Sequence, residues 1–329
     1  MKLTPDQILD IVHNTLFTSV TPEGKVNFYR FSVTQQKAYA GRSENFGQKC
    51  YASAGVMLDM ITDSDLISFQ AEFGVGSSRK YAVIDLLVDG VLVETYRKDS
   101  LGTDHISFHL PQGEHRITLV LPWSATTTLW DLTLSDGASL LPVEKNPRIL
   151  ALGDSITQGY ISEHPSCSYV SHYALALDAE VLNQGIGGYE FFKESVDPEL
   201  GWQPDIITLA YGTNDYSHNN SLAVFTEQVK SYVEALVSAF PGTPVLAITP
   251  IYRSEETRKI KELDKDYTFE DAINKLHEIY AAYPQIRVLD GMSFYPHPID
   301  FFAPDWLHPN DLGFAYYGQA VTNALKEML

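Results

Sequence analysis

The chain has 329 residues, of which 44% are hydrophobic and 20% are charged, and its formal net charge is −19 at pH 7. This length accommodates two domains or one large domain, and the hydrophobic fraction is typical of a globular protein with a buried core. The negative charge argues against nucleic acid or an anionic membrane as a partner, because either would select a basic surface.

The N-terminal residues and the two cysteines favour a location in a reducing compartment of the cell. The first residues, Met-Lys-Leu-Thr-Pro-Asp-Gln, contain no apolar stretch and no small-residue cleavage site, which argues against a signal peptide. No run of about 18 apolar residues occurs, which argues against a membrane span. Cys50 and Cys167 form neither a metal-ligand spacing nor a disulfide framework. We expect packed thiols and a cytoplasmic location, provided that no leader has been trimmed.

The N-terminal half is predicted to be rich in β-structure after a short leading helix over residues 4–18. Between about Asn27 and Leu134, short β-like runs alternate with turns. The clearest turn is the Asp89-Gly90 pair between residues 81–88 and 91–96, a composition typical of a tight hairpin. Further runs cover residues 105–110 and 115–121. Repeated short strands of this kind predict a β-sandwich or jelly roll.

Four large aromatic side chains of this half are interpreted as core residues and not as a platform for sugars. They are Tyr39, Tyr51, Trp123 and Trp130.

The C-terminal half alternates short apolar runs with amphipathic segments. Strands are predicted at residues 148–152, 180–183, 205–210, 245–249 and 286–290, and helices at residues 169–177, 222–240, 269–283 and 311–329. Continuously apolar strands separated by helices are typical of a parallel sheet covered on both faces. The pattern changes between Ser139 and Asn146, beside Pro142 and Pro147. We therefore predict an N-terminal β-sandwich domain at residues 1–142 and a C-terminal α/β domain at residues 147–329.

Four short motifs follow predicted strands of the C-terminal half. In chain order they are Gly153-Asp154-Ser155, Gly187-Gly188, Gly212-Thr213-Asn214-Asp215 and Asp305-Trp306-Leu307-His308-Pro309. Ligands of open parallel sheets bind beyond the carboxyl ends of the strands. We therefore expect the loops that carry the four motifs to meet in one active site.

The residue types in these motifs are those of a serine esterase. A serine nucleophile needs a base within hydrogen-bond reach and a third group that orients the base. Ser155, His308 and Asp305 are the candidates for these three roles. Negative charge that develops on the carbonyl oxygen of the substrate needs donors that already point at it. The backbone N–H groups of Ser155 and Gly188 and the side-chain amide of Asn214 are the candidate oxyanion hole.

Residues around the motifs receive secondary interpretations. Asp154 and Asp215 are interpreted as structural residues that accept hydrogen bonds. Tyr160, His164 and Trp306 are candidates for contact with the substrate. Trp306 would wall the site or stack on a sugar ring, and simple packing is the alternative for it.

Two other classes of ligand are not supported by the sequence. The segment Gly185-Ile186-Gly187-Gly188 resembles the start of a dinucleotide fingerprint, but the third glycine would fall at Glu190. No Gly-Lys-Ser/Thr phosphate loop occurs. His164 and His297 stand outside any recognised metal-ligand spacing and are interpreted as loop residues. We therefore expect no metal and no cofactor.

The four motifs resemble the blocks of the SGNH (GDSL-type) hydrolase family. Ser155 stands at the nucleophile of the first block, Gly188 and Asn214 at the oxyanion donors of the second and third, and Asp305 and His308 at the acid and base of the last. The resemblance covers the predicted α/β domain. It implies a flavodoxin-like three-layer α/β/α sandwich with five parallel strands and no metal requirement.

The β domain before this half is similar in arrangement to that of family 2 carbohydrate esterases, which remove acetyl groups from sugar hydroxyls on plant polysaccharides. The resemblance implies a serine esterase that releases short acyl groups from a carbohydrate or another small ester through an acyl-serine at Ser155. Two alternatives stay open: a lipase or thioesterase of the same family that acts on longer acyl chains, and a non-catalytic carbohydrate-binding protein. The sequence leaves the oligomeric state open.

Overall fold

The computed structural model of the chain describes residues 1–296 and 298–329, and it describes Glu256 and Pro298 by their backbone only. The predicted loop residue His297 lies outside the described residues. The elements of the N-terminal half are, in chain order, α1 Pro5–Leu9, β1 Val12–His13, β2 Phe17–Val20, β3 Val26–Tyr29, α2 Val33–Arg42, α3 Glu44–Lys49, β4 Met57–Thr62, β5 Leu66–Val75, β6 Ala82–Val88, β7 Val91–Lys98, β8 Gly102–His109, β9 His115–Val120, β10 Ala125–Leu134 and β11 Leu141–Pro142.

The strands of this half form two antiparallel sheets with a hydrophobic core between them. One sheet has the order β1-β4-β9-β6-β7, with β11 paired to β4, and the other has the order β2-β3-β10-β5-β8. Inward side chains such as Phe69, Leu119 and Leu129 are fully buried. Asp89 and Gly90 both have positive φ, as a tight hairpin between β6 and β7 requires. The predicted β-sandwich is confirmed.

The leading helix is shorter than predicted. Thr4 caps α1 and accepts from the Gln7 backbone, and the helix ends at Leu9. Val12 and His13 instead pair with β4 at the edge of the sandwich. Asn14 then reverses the chain with a φ of 65°. The prediction of one helix over residues 4–18 is wrong. Some of the apolar side chains of this segment belong to the short helix α1, and others belong to the edge strand β1.

Two helices, α2 and α3, were not predicted from the sequence. Ser32 and Gln35 form a capping box at the start of α2, and Ser43 caps α3. The Ser-x-x-Gln spacing was the available signal. Tyr39 of α2 and Cys50 after α3 belong to the same hydrophobic cluster as the parallel-sheet half of the molecule. These helices therefore attach the N-terminal half to the C-terminal half.

The prediction that four aromatic residues of this half lie in the core is only partly right. Tyr39 and Trp123 are buried. Tyr51, however, is 41% exposed. Trp130 lies on the outer face of β10, where Lys25 covers its ring at 4.1 Å. The alternation of side chains along β10 places Trp130 opposite to the buried residues.

The elements of the C-terminal half are, in chain order, β12 Arg148–Gly153, α4 Ser155–Gln158, α5 Tyr169–Ala176, β13 Glu180–Gly185, β14 Ile206–Ala210, α6 Thr213–His218, α7 Leu222–Ala239, β15 Val245–Ile248, α8 Glu255–Glu262, α9 Phe269–Tyr280, β16 Ile286–Leu289 and α10 Asp311–Lys326. Short 3₁₀ turns cover Pro165–Cys167, Lys193–Ser195, Gly291–Ser293 and Pro298–Phe301. Throughout the described ranges, no helix combines the length and the apolar character needed to cross a membrane.

The five strands of this half form one parallel sheet in the order β13-β12-β14-β15-β16. Helices α7 and α9 pack on one face, with residues such as Val229 and Leu276. Helices α5 and α10 pack on the other face, with residues such as Tyr169 and Val321. This strand order is the flavodoxin-like one. The predicted three-layer α/β/α arrangement is confirmed, and its strand order reverses beside β12, where the active-site loops leave the sheet.

Strand β13, at the edge of the parallel sheet, forms hydrogen bonds with residues of the N-terminal half. The buried guanidinium of Arg30 donates to the carbonyl oxygens of Asn183 and Gly185. The side-chain amides of Gln35 and Gln184 exchange hydrogen bonds of 2.8 and 2.9 Å. Because β13 leads into the Gly-Gly motif, the N-terminal half helps to position that loop.

Candidate active site

The candidate nucleophile lies where β12 turns into α4. Gly153 ends the strand, Asp154 caps the helix and Ser155 is its first residue. A Cβ atom on Gly153 would lie 1.9 Å from Thr157 Oγ1 and 2.9 Å from the carbonyl oxygen of Ala210. Only glycine therefore permits this close turn. Ser155 retains 9% exposure at the base of a cavity.

The candidate base and acid approach the nucleophile from the loop before α10. Ser155 Oγ lies 2.8 Å from His308 Nε2, and His308 Nδ1 lies 2.7 Å from Asp305 Oδ2. The other oxygen of Asp305 accepts from the backbone N–H groups of Leu307 and His308, both at 3.0 Å. Trp306 between them has a φ of 54°, and this left-handed turn lets the two side chains face each other. The structure thus brings the three predicted residues together.

The electrostatics of Asp305 determine which nitrogen of His308 carries a proton. Burial would raise the pKa of Asp305, but hydrogen bonds from the imidazole and the two backbone N–H groups outweigh it and hold the pKa at about 2. The ionised carboxylate accepts a hydrogen bond from the Nδ1–H group, which leaves the lone pair of Nε2 free to accept a hydrogen bond from the Ser155 hydroxyl.

The three candidate oxyanion donors belong to residues that line the same cavity, namely Ser155, Gly188 and Asn214. Within the described residues, the backbone N–H groups of Ser155 and Gly188 find no protein acceptor, and Gly188 has a φ of 81° that favours glycine. The amide nitrogen of Asn214 donates to the Tyr189 carbonyl at 3.0 Å and lies 3.5 Å from Asp154 Oδ2. The second contact is at the outer limit of a hydrogen bond, so one N–H of the amide is available to a substrate.

Asp154 and Asp215 are buried carboxyl groups next to Ser155 and Asn214 in the chain. Asp154 accepts from the Ile156 backbone, and burial raises its pKa to about 6. Asp215 accepts from the backbone N–H groups of Phe191 and Gly212, and burial raises its pKa to about 8. Asp215 thereby joins the loops that follow β13 and β14, whereas Asp154 caps α4 within its own loop, and both arrangements agree with the interpretation of these residues as structural.

The cavity above Ser155 has a volume of about 210 Å³ and is lined from both halves of the chain. The C-terminal half contributes Ser155, Gln158, Tyr160, Gly187, Gly188, Asn214, Leu307 and His308, and the N-terminal half contributes Lys49, Ser77 and Ser78. No sequence pattern indicates the last three residues, because they belong to no motif and lie far from Ser155 in the chain. Gln158, which accepts from the Gly187 backbone at 2.8 Å, was not predicted either.

Tyr160 is the predicted substrate-contact residue that lines the cavity. Its ring centroid lies 4.7 Å from that of His308, and its hydroxyl lies 3.0 Å from Ser78 Oγ. Tyr160 therefore covers the imidazole and connects the two halves of the cavity wall.

The other two predicted contact residues are placed differently. His164 does not line the cavity; its Nδ1 lies 3.1 Å from the buried carboxylate of Asp85, on the side of the sandwich. This arrangement offers no support for contact between His164 and a substrate. Trp306 is 42% exposed and does not line the cavity. Its stacking on a sugar ring stays a prediction.

Neither cysteine lines the cavity. Cys50 and Cys167 are free thiols, and burial raises their pKa to about 12 and about 11. Over residues 1–296 and 298–329, no group of three or more His, Cys, Asp or Glu side chains is arranged to hold a metal ion.

Comparison with known proteins supplies a family and a fold. A model described as the GDSL-like Lipase/Acylhydrolase family matches residues 151–316. No curated protein matches the sequence. Three similar solved structures cover nearly the whole chain. The salicylyl-acyltransferase SsfX3 from a tetracycline biosynthetic pathway has 20% identity and a TM-score of 0.80, and covers 96% of this chain and 94% of its own.

The second is a protein from Bacteroides ovatus described as a GDSL-like lipase, with 18% identity, a TM-score of 0.78 and coverage of 99% and 97%. The third is a family two carbohydrate esterase from Cellvibrio japonicus, with 19% identity, a TM-score of 0.65 and coverage of 97% and 95%. At such identities the likeness shows a shared fold that includes both halves of the chain.

Proposed function

Because the chain belongs to the GDSL-like lipase/acylhydrolase family, we propose that it is a serine esterase that removes short acyl groups, acetyl above all, from an acylated carbohydrate. Its class is that of a carboxylic ester hydrolase. The identity of the acyl group, the identity of the alcohol and the formation of an acyl-serine intermediate are the parts that we propose.

The observation that carries the proposal is the unbroken relay from Ser155 to His308 to Asp305 beneath a cavity with three oxyanion donors. His308 Nε2 takes the hydroxyl proton while Ser155 Oγ attacks the ester carbon. Gly188 and Asn214 then stabilise the charge on the former carbonyl oxygen.

Collapse of the tetrahedral intermediate breaks the bond to the alcohol, and His308 returns the proton to the leaving oxygen. The acyl group is then held as an ester on Ser155. Water enters the vacated position, loses a proton to His308 and attacks the same carbon. The acid leaves, and Ser155 regains its proton from His308. Asp305 stabilises the imidazolium in both halves of the cycle.

The size of the cavity supports a short acyl group. A volume of about 210 Å³ is below the usual range for drug-sized ligands and leaves little room for a long alkyl chain. The lining also contains several polar side chains, among them Ser77, Ser78, Lys49 and Asn214. Hydroxyl, amine and amide groups suit a sugar better than a lipid. The carbohydrate esterases among the similar structures support the same substrate class.

The first experiment asks whether Ser155 is reactive. A fluorophosphonate probe should label the wild-type protein and leave Ser155→Ala unlabelled, while Ser231→Ala on α7 serves as a matched control that keeps labelling. Absence of label on the wild type would favour the non-catalytic alternative.

The second experiment defines the acyl and alcohol parts. We expect kcat/KM on nitrophenyl esters to be highest for acetate and to fall as the acyl chain grows. A preference for chains of roughly eight carbons or more would favour the lipase alternative, since longer chains bury more apolar surface. Acetate release from a panel of acetylated oligosaccharides identifies the alcohol. Product analysis with an added alcohol acceptor measures transfer to that acceptor in place of water.

A further inference from the structure

Lys49, the last residue of α3, lies beside the candidate oxyanion hole. Its Nζ donates to the carbonyl oxygen of Gly187 at 2.7 Å. A Cβ atom built on Gly187 would lie 3.8 Å from both Lys49 Nζ and Ser155 Cβ, and one on Gly188 would lie 3.9 Å from Lys49 Nζ. The ammonium group and the nucleophile therefore both lie beside Gly187 in one small cavity.

The charge of Lys49 has no carboxylate partner among the described ion pairs. This is notable in a chain with 42 acidic and 23 basic side chains. Its nearest aromatic neighbour is Phe46, whose ring centroid lies 5.3 Å from Nζ. The acidic groups of the site are already engaged: Asp305 by His308 and Asp154 by the Ile156 backbone.

A second basic side chain, that of Arg79, lies over a residue of the cavity wall. The guanidinium of Arg79 is 5.4 Å from the ring centroid of Tyr160, which lines the cavity, and it too lacks a carboxylate within the described ion pairs. Arg79 follows Ser77 and Ser78, so both cations reach the site from the N-terminal half. One basic side chain, Lys49, thus lines the cavity and another, Arg79, contacts its wall at Tyr160, although the whole chain is strongly negative.

The hydrogen bond to the Gly187 carbonyl oxygen does not by itself require a cation at position 49. Partial burial of the ammonium opposes its charged form and lowers the pKa of Lys49. One hydrogen bond to a carbonyl oxygen needs only a neutral donor, whereas an ammonium group carries three N–H donors. After the bond to Gly187, two of these remain for a ligand.

We propose that Lys49, assisted by Arg79, binds a carboxylate of the substrate, so that the enzyme selects acyl esters with an acidic group close to the scissile carbonyl. The inference rests on the proposed esterase function and names its substrate class. The carboxylate belongs either to the alcohol, as in an acetylated sugar acid, or to the acyl group, as in a monoester of a dicarboxylic acid. Charge-assisted hydrogen bonds of this kind are stronger than neutral ones.

Matched ester pairs test the proposal and separate the two sources of charge. Acetylated methyl glucuronoside and acetylated methyl glucoside differ only in a carboxylate on the alcohol. Nitrophenyl hemisuccinate and nitrophenyl butyrate differ mainly in a carboxylate on the acyl group. We expect wild-type kcat/KM to favour the anionic member of one pair by roughly 10- to 100-fold. This preference should weaken at high salt.

The decisive readout is the ratio of kcat/KM for the anionic ester to that for the neutral ester. Lys49→Met keeps the length of the side chain and should lower this ratio by roughly tenfold or more, whatever it does to the neutral rate. Lys49→Arg should retain most of the ratio, and Arg79→Met should lower it less. Lys230→Met, an exposed change of the same net charge on α7, should leave it at the wild-type value.

An equal fall of both rates in Lys49→Met would mean that Lys49 only positions the glycine loop, and it would overturn the proposal. A wild-type preference for the neutral ester in both pairs would do the same. Calorimetry on Ser155→Ala gives a readout without turnover: glucuronate or succinate should bind more tightly than glucose or butyramide, and Lys49→Met in that background should abolish the difference. Hydrolysis of neutral esters without charge selectivity would leave the esterase function intact and refute only this inference.

Discussion

At the level of single residues, Asp305 sets the proton position on His308. Asp305→Asn would present an amide N–H to Nδ1 and favour the wrong tautomer, so we expect kcat/KM to fall by about 10²–10⁴-fold. Because the pKa of Asp305 is about 2, the wild-type activity profile should show no inflection from this group above about pH 4.

Steady-state kinetics across pH check this prediction, with Asp300→Asn, an exposed acid of the preceding 3₁₀ turn, as the control. Activity of Asp305→Asn within threefold of wild type would contradict the role of the carboxylate.

The ionisation of the buried residue Asp154 should make the stability of the protein depend on pH. Burial raises its pKa from 3.8 to about 6, so the folded state disfavours ionisation that the unfolded chain allows. Wild-type stability should therefore contain a contribution that is complete below about pH 4 and is lost as pH rises to about 6. Asp154→Asn retains an oxygen to cap α4 and removes the ionisation. Relative to wild type, it should gain up to roughly 3 kcal/mol of unfolding free energy between these pH values.

Urea denaturation at a series of pH values measures the effect of Asp154→Asn. Parallel stability curves for the two proteins would show that Asp154 ionises normally in the folded state.

At the level of elements, β13 and α4 are in contact through Gly185. A Cβ atom there would lie 2.3 Å from the Gln158 backbone nitrogen and 2.6 Å from the Thr157 carbonyl carbon. Gly185→Ala should therefore separate the nucleophile turn from the strand and destabilise the fold by roughly 2–3 kcal/mol. Gly41→Ala in α2 is the matched control, because a Cβ there has nothing within 4 Å.

Gly41→Ala should be neutral or stabilise by up to about 1 kcal/mol, since alanine favours helix. Thermal unfolding of the two variants checks the prediction. Equal melting temperatures for Gly185→Ala and wild type would mean that α4 moves freely relative to the sheet.

At the level of the whole molecule, the two predicted domains share a core. Phe31 and Tyr39 from the N-terminal half pack in the same cluster as Leu182 of β13, and Arg30 donates to carbonyl oxygens on both sides of the junction. We expect one cooperative unfolding transition, and residues 147–329 alone should aggregate because the shared cluster is then exposed.

Arg30→Met should destabilise the full chain by roughly 3 kcal/mol or more, since three buried carbonyl oxygens lose their donor. Differential scanning calorimetry of the wild-type and Arg30→Met chains measures the number of transitions and the loss of stability. Expression of residues 147–329 tests whether this part aggregates on its own. Two separate transitions, one of them kept by the shorter chain, would instead establish independent domains.

Much of the fold and of the candidate site follows from sequence signals that act over a few residues. Apolar runs such as 148–152 predicted strands of the parallel sheet because burial on both faces requires an unbroken apolar run. The motifs around Ser155, Gly188, Asn214 and His308 were recognisable because each loop needs particular residues at fixed spacing. Their meeting point followed from one rule, that parallel strands end at the same edge of a sheet.

The tertiary structure alone decided which parts of the N-terminal half reach this edge. Lys49 lies more than a hundred positions before Ser155 in the chain, and no local pattern distinguishes it from a solvated lysine at a helix end. Helices α2 and α3 leave the sandwich to pack on the parallel-sheet half, and this packing depends on the shape of both surfaces at once. The candidate catalytic residues are therefore readable from the sequence, because each lies in a short loop with its own residue pattern. The wall of the cavity depends instead on contacts between segments that are distant in the chain, which no local pattern reports.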